Sequence, residues 1–139
     1  MAVTLNHTIV SAGDKSLAAT FLAEMLALEP PKQVGHFAVV EVGDTSIDFV
    51  DAEGEIQQRH LAFLVSEPEF DAIFTRIQSR QIRYWADPRR TQADAINHWD
   101  DGRGVYFDDP NGHLLEVITR PYGSGGLEAE HPHPLLAGE

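Results

Sequence analysis

The 139-residue chain contains no cysteine. That absence excludes disulfide bridges, thiolate zinc sites and a cysteine nucleophile, so any metal must rest on histidine and carboxylate ligands. Basic residues are scarce as well: 10 Lys and Arg stand against 22 Asp and Glu, for a formal net charge of -12. A surface of that sign repels phosphate backbones, and the chain has no basic stripe, so nucleic acid is not an expected partner. The acidity serves solubility, and only a local cluster such as Arg89-Arg90 would draw an anion. No hydrophobic run approaches the roughly 20 residues that span a bilayer. The start, Met1-Ala2-Val3-Thr4, lacks the basic region and apolar stretch of a signal peptide. The expectation is a soluble, cytoplasmic protein with no membrane partner.

What is present reads as two similar halves. In the first, Val3 to Val10 is β-rich, with Val3, Leu5, His7 and Ile9 on one face by the two-residue period. Asp14 then caps a helix whose apolar positions Leu17, Phe21, Met25 and Leu28 recur at helical spacing, with Pro30-Pro31 as its stop. Strands are expected at 36–42 and 46–50, joined by a turn at Gly43-Asp44. The second half restarts at a strand from His60 to Val65. Ser66-Glu67-Pro68-Glu69 has the form of a capping box with proline in the first turn, and Phe70, Ile73, Phe74 and Ile77 trace one helical face. A short strand at 82–85, a polar loop from Asp87 to Asp101, and strands at 105–107 and 114–119 complete it, the last two joined by Asp109-Pro110-Asn111-Gly112.

Strand–helix–strands, twice, is an α+β plan with helices on the outer side of curved sheets. The length suits one domain, here 1–122 with modules at about 3–52 and 60–120. The remainder, 123–139, with Gly123-Ser124-Gly125-Gly126 and His131-Pro132-His133-Pro134, reads as a loosely ordered, solvated tail.

His7, His60 and Glu116 each fall inside an expected strand. Two imidazoles and one carboxylate form a metal-binding set that leaves coordination positions open for substrate. Parity supports a common direction within strands: Leu114, Glu116 and Ile118 share a face, as do His60, Ala62 and Leu64, while Leu115, Val117, Leu61 and Phe63 face the other way. A glutamate between Leu115 and Val117 needs a reason, because an unpaired buried carboxylate is costly.

The histidine near the start of each half, and the ending Tyr106-Phe107-Asp108-Asp109-Pro110-Asn111-Gly112-His113-Leu114-Leu115-Glu116, resemble the vicinal oxygen chelate superfamily. That superfamily includes glyoxalase I, fosfomycin-resistance thiol transferases, bleomycin-binding proteins and type I extradiol dioxygenases. The resemblance covers residues 3 to about 120 and implies paired βαβββ modules forming a curved mixed-sheet cradle around one divalent metal. It also implies that His7, His60 and Glu116 are the ligands, and that single-domain members form homodimers. Asp48, between Ile47 and Phe49, matches the position of a fourth acidic ligand in glyoxalase I-like members, and an uncoordinated aspartate there would serve as a base. Ile96-Asn97-His98, then Val105-Tyr106, then Asp109 to Glu116 resemble the extradiol ring-cleavage signature. Carried over, His98 and Tyr106 would hydrogen-bond the substrate oxygen or dioxygen.

The function implied is a metal-dependent enzyme acting on a small substrate with adjacent oxygens, with extradiol-type ring cleavage first. Fe(II) is the favoured metal, with Mn(II), Ni(II) or Zn(II) as alternatives. A glyoxalase I-like isomerase or lyase and a thiol transferase are the other enzymatic readings. A metal-free protein that sequesters an aromatic drug between Trp85, Trp99, Tyr84 and Phe37 is the non-enzymatic one.

Overall fold

The computed structural model of the chain describes residues 2–136. Met1 and 137–139, the outer ends of the expected domain and tail, lie outside the described residues. The chain forms two compact units, 1–59 with 109–113, and 60–108 with 114–139.

The first unit runs β1 (His7–Ala12), α1 (Lys15–Leu26), β2 (Lys32–Val34), β3 (Phe37–Val42) and β4 (Thr45–Asp51). Its four strands lie in the order β1-β4-β3-β2, with β1 parallel to β4 and the other pairs antiparallel. The register places Val10, Ala12, Ala38, Val40, Ile47 and Phe49 on one face, all buried, and α1 packs there. The other face carries His7, Ile9, Val39 and Asp48.

Two expectations in this unit change. The helix buries Ala18, Ala19, Leu22, Ala23 and Met25, while Leu17 is 58% exposed. Apolar residues occupy nearly every side of α1, so spacing alone left the inward stripe undefined, and the alanine-rich side lets the helix approach the sheet closely. The helix also ends before Pro30-Pro31. Ala27 turns left-handed at φ 55°, and Leu28 N donates to Ala23 O across the end. The short strand β2 was not anticipated; three exposed residues carry no period to read.

The second unit repeats the plan: β5 (His60–Leu64), α2 (Glu67–Ser79), β6 (Tyr84–Trp85), β7 (Gly104–Asp108) and β8 (Leu114–Ile118). Strand order β5-β8-β7-β6 matches the first unit strand for strand, including the parallel pair between first and last. The capping box at α2 forms in both directions: Glu69 N donates to Ser66 Oγ, and Ser66 N donates to Glu69 Oε1. Phe70, Ile73 and Ile77 are buried, and Phe74 meets Tyr84 edge-on at 5.1 Å. Val105, Phe107, Leu115 and Val117 share Tyr84's sheet face and complete this core. Arg103 spans from sheet to helix, pairing with Glu67 and Asp71 at 2.8 Å each and lying over the Phe70 ring.

The tail departs most from expectation. It has no helix or strand among the described residues, yet it is pinned. Asp100, 2% exposed, accepts from Gly123 N at 2.8 Å and Gly125 N at 3.1 Å. Asp101 accepts from His131 N and Glu130 N, and Asp100 N donates to His131 O. Both aspartates sit at positive φ, which this residue type tolerates, and so both carboxylates can face the tail. A Cβ at Gly125 would meet the Asp100 backbone at 3.1 Å and Ala129 Cβ at 2.9 Å, so only glycine permits that approach. Glycine here serves contact rather than flexibility.

Candidate metal and ligand site

The face of the second sheet opposite its core carries His60, Ala62, Glu116, Ile118, Tyr106 and Trp85, placed together by register. Ala62 and Tyr106 flank Glu116 on the two neighbouring strands. Glu116 is 6% exposed and Tyr106 3%, whereas the His60 side chain is about half open, at 48%.

His60 Nε2 lies 3.1 Å from Glu116 Oε1, and His60 Nδ1 lies 3.1 Å from the carbonyl oxygen of Leu114. Both ring nitrogens therefore face acceptors, which favours the doubly protonated imidazolium. The Glu116 hydrogen bond accordingly raises the pKa of His60 above its ordinary value, against the opposing effect of partial burial. The same arrangement suits a metal. Donors 3.1 Å apart match adjacent ligands on one ion, since bonds of about 2.1 Å at right angles separate their donors by about 3 Å. A metal ion in place of the Nε2 proton would leave Nδ1–H donating to Leu114 O, the outer contact that orients a ligating histidine.

Tyr106 stacks near His60 with ring centroids 5.9 Å apart. Burial, and then the charge and hydrogen bonding of Glu116, push its phenol well above the usual tyrosine range. Tyr106 is thus a proton-bearing donor at any physiological pH.

These residues open onto a cavity of about 650 Å³, also lined by Asp87, Arg89, Gln92, Trp99, Tyr122, His133 and Leu135. Two polar side chains fix its loop wall. Burial would raise the Asp87 pKa, but hydrogen bonds from the Thr91 hydroxyl and the Thr91 and Gln92 amides outweigh it and hold the carboxyl ionised. Asn97 donates to Ala86 O, accepts from Trp99 N, and pairs its backbone with Gly104, which sets Trp99 in place.

The other expected residues stand elsewhere. His7 is exposed on β1, with Nδ1 2.6 Å from Asn6 Oδ1, an acceptor that leaves Nε2 as the free lone pair. Asp48 is half-buried on β4 and accepts from Ser46 Oγ at 2.8 Å. Among the described residues no three His, Asp or Glu side chains gather in metal-binding geometry; the structure brings together His60 and Glu116. His98 is exposed beside His131 and does not line the cavity. His133, assigned from sequence to a solvated tail, is the histidine that joins His60 at the cavity wall.

In the signature turn, Asp109 Oδ1 accepts from Asn111 N and His113 N, and Gly112 takes φ 86°. His113, 1% exposed, accepts from Arg59 N through Nδ1, and its Nε2 lies 2.7 Å from Ser11 O. These residues hold backbone in place rather than face the cavity.

Tandem βαβββ modules, with a His–Glu–Tyr set on one sheet face, define a class of small α+β proteins whose donors suit a divalent metal. The model of the Glyoxalase/Bleomycin resistance protein/Dioxygenase superfamily matches residues 4–117, and the chain belongs to that superfamily. Among solved structures, Oxidase ChaP-H2 is 55% identical with a TM-score of 0.88, covering 91% of this chain and all of its own (100%). Oxidase ChaP-H1 is 52% identical at 0.86, covering 88% and 99%. Metallothiol transferase FosB of Shouchella clausii (strain KSM-K16) is 31% identical over 126 residues, 83% of this chain and 79% of that one.

Proposed function

We propose that the chain is a metal-dependent oxidase of this superfamily that works on an aromatic diol, with extradiol-type ring cleavage as its reaction. The observation that carries the reading is the His60–Glu116 pair, with donors 3.1 Å apart, beside a protonated Tyr106 on the floor of a largely apolar cavity. Two oxidases at 52% and 55% identity support oxygen chemistry.

The proposed ligands are His7, His60 and Glu116, and the protein is proposed to work as a cytoplasmic homodimer. A divalent ion there, Fe(II) before Mn(II), Ni(II) or Zn(II), would supply Lewis acidity and, as iron, electrons to dioxygen. The chain's own contribution is positional. Glu116 and Leu114 orient His60, and Trp99 and Tyr106 offer faces for a flat ring. The Tyr106 hydroxyl donates to a substrate oxygen and steadies the charge that develops there. Asp48 is proposed as a proton acceptor outside the ligand set. His98 has no part in this reading, because its ring is exposed and away from the cavity lining.

The test is metal analysis of protein purified without chelators, then anaerobic Fe(II) loading and oxygen uptake with a panel of catechols. Uptake that fails in His60→Ala supports the proposal, and mixing His7→Ala with His60→Ala subunits shows whether ligands come from two copies. A second reading, thiol transfer, is favoured by the 31% identity to the metallothiol transferase. Thiol consumption without oxygen uptake would establish it in place of the first. A bound metal with isomerisation of a hemithioacetal would point to a glyoxalase-like lyase. Ligand affinity that survives loss of His60 would leave a drug-sequestering protein.

A further inference from the structure

The metal-side residues account for only one end of the cavity. From His60 a row of rings continues along the wall: Tyr106 at 5.9 Å from His60, Trp99 at 6.1 Å from Tyr106, and His133 at 4.9 Å from Trp99. A diol held beside His60 and Glu116 meets Tyr106 first. A single benzene ring placed there would leave most of a cavity of about 650 Å³ unfilled.

The far end is built by the tail. His133 is 8% exposed and held between Trp99 and Tyr122. Leu135 N donates to its Nδ1 at 3.2 Å, which makes Nδ1 the acceptor nitrogen and puts the ring proton on Nε2. No acceptor among the described residues takes that Nε2 proton, on a side chain that lines the cavity. The Asp100 and Asp101 carboxylates, each accepting two tail amides, hold this wall fixed. An oriented, unused donor open to the cavity at the end of an aromatic wall is a recognition group for an oxygen acceptor.

We propose that His133 is a ligand-positioning residue whose Nε2–H binds a carbonyl oxygen beyond the diol-bearing ring of a multi-ring aromatic diol, with the pinned tail setting ligand length. The proposal rests on the aromatic-diol reading above and names the substrate class more narrowly: fused rings carrying the diol on a terminal ring and a carbonyl acceptor on a ring beyond it.

The experiment measures anaerobic binding of catechol and of alizarin, a three-ring diol with carbonyl acceptors, by quenching of tryptophan fluorescence in chelator-treated protein. Wild type is expected to bind alizarin at least about tenfold more tightly than catechol, given the added ring contacts and one hydrogen bond. His133→Phe keeps the ring between Trp99 and Tyr122 but lacks the donor; it should lose about tenfold for alizarin and distinctly less for catechol. His133→Gln, which restores an N–H, should recover most of the loss. Equal losses for both ligands, or no loss in His133→Phe with an unchanged melting temperature, would overturn the assignment. The two readings fail separately: absent oxygen uptake with catechols counts against the oxidase and leaves the alizarin difference standing, and equal alizarin affinities count against His133 while uptake persists.

Discussion

In the first module, the sheet face away from α1 carries His7, Ile9, Val39 and Asp48, all at least partly open to solvent. In the second, the face away from the core buries Glu116, Tyr106 and Trp85, while His60, Ala62 and Leu64 along β5 stay open. The strand order is the same in both. The difference arises beyond β6, in the loop ordered by Asp87 and Asn97 and in the tail ordered by Asp100 and Asp101. One topology therefore yields an open face in one module and a cavity in the other: the strands carry His60, Tyr106 and Glu116, and the irregular segments supply the walls.

The likeness of the two modules is tested first in their cores. Phe49→Ala and Phe107→Ala remove rings that are 2% and 0% exposed on the corresponding core faces. Each should cost about 3–5 kcal/mol in urea unfolding, and a loss confined to one would show that the modules are not equivalent cores. The faces are separated next by metal titration. Glu116→Ala should weaken metal binding at least about 100-fold, whereas Asp48→Ala should change it by no more than about threefold. A large effect at Asp48 would make it a ligand and erase the contrast.

A smaller effect probes the helices that begin each module. Asp14→Ala and Ser66→Ala each remove a side-chain acceptor at a helix start and should lower stability by about 1 kcal/mol. Thermal midpoints of the two variants would show whether the capping box adds to the simple cap. The smallest effect concerns His60 in chelator-treated protein. Its pKa is raised in the folded state, so the stability it contributes is complete below pH 6.5, its ordinary value, and is lost as pH rises through the raised value. For a pair half open to solvent the loss is under about 1 kcal/mol. Melting curves from acid to mildly alkaline pH should show it in wild type and not in His60→Gln.

Much of this was legible before folding. The two-residue period at 60–64 and 114–118 put His60 and Glu116 on inward positions of their strands, and parallel pairing brought them together. The capping box at Ser66 was readable because it is local. The inward side of α1 was not, since an alanine-rich helix offers no contrast between faces. Nor was the role of the tail: Gly-Ser-Gly-Gly and His-Pro-His-Pro have the composition of a linker, and only contact with Asp100 shows that Gly125 serves a close approach. His98 was favoured over His133 for the same reason, because it lay next to a motif along the chain.

Residue order was enough to establish a strand–helix–strands plan in each half, the faces of its main strands, and a donor set of imidazole and carboxylate with no thiol to compete. These rest on periods of two and on residue chemistry, which act locally. Three features emerge only on folding: the Tyr106 phenol is pushed above its ordinary range, Trp99, Tyr122 and His133 share a wall, and the tail is fixed. They depend on burial, on ring contacts and on hydrogen bonds between residues separated along the chain, and no local pattern encodes such contacts.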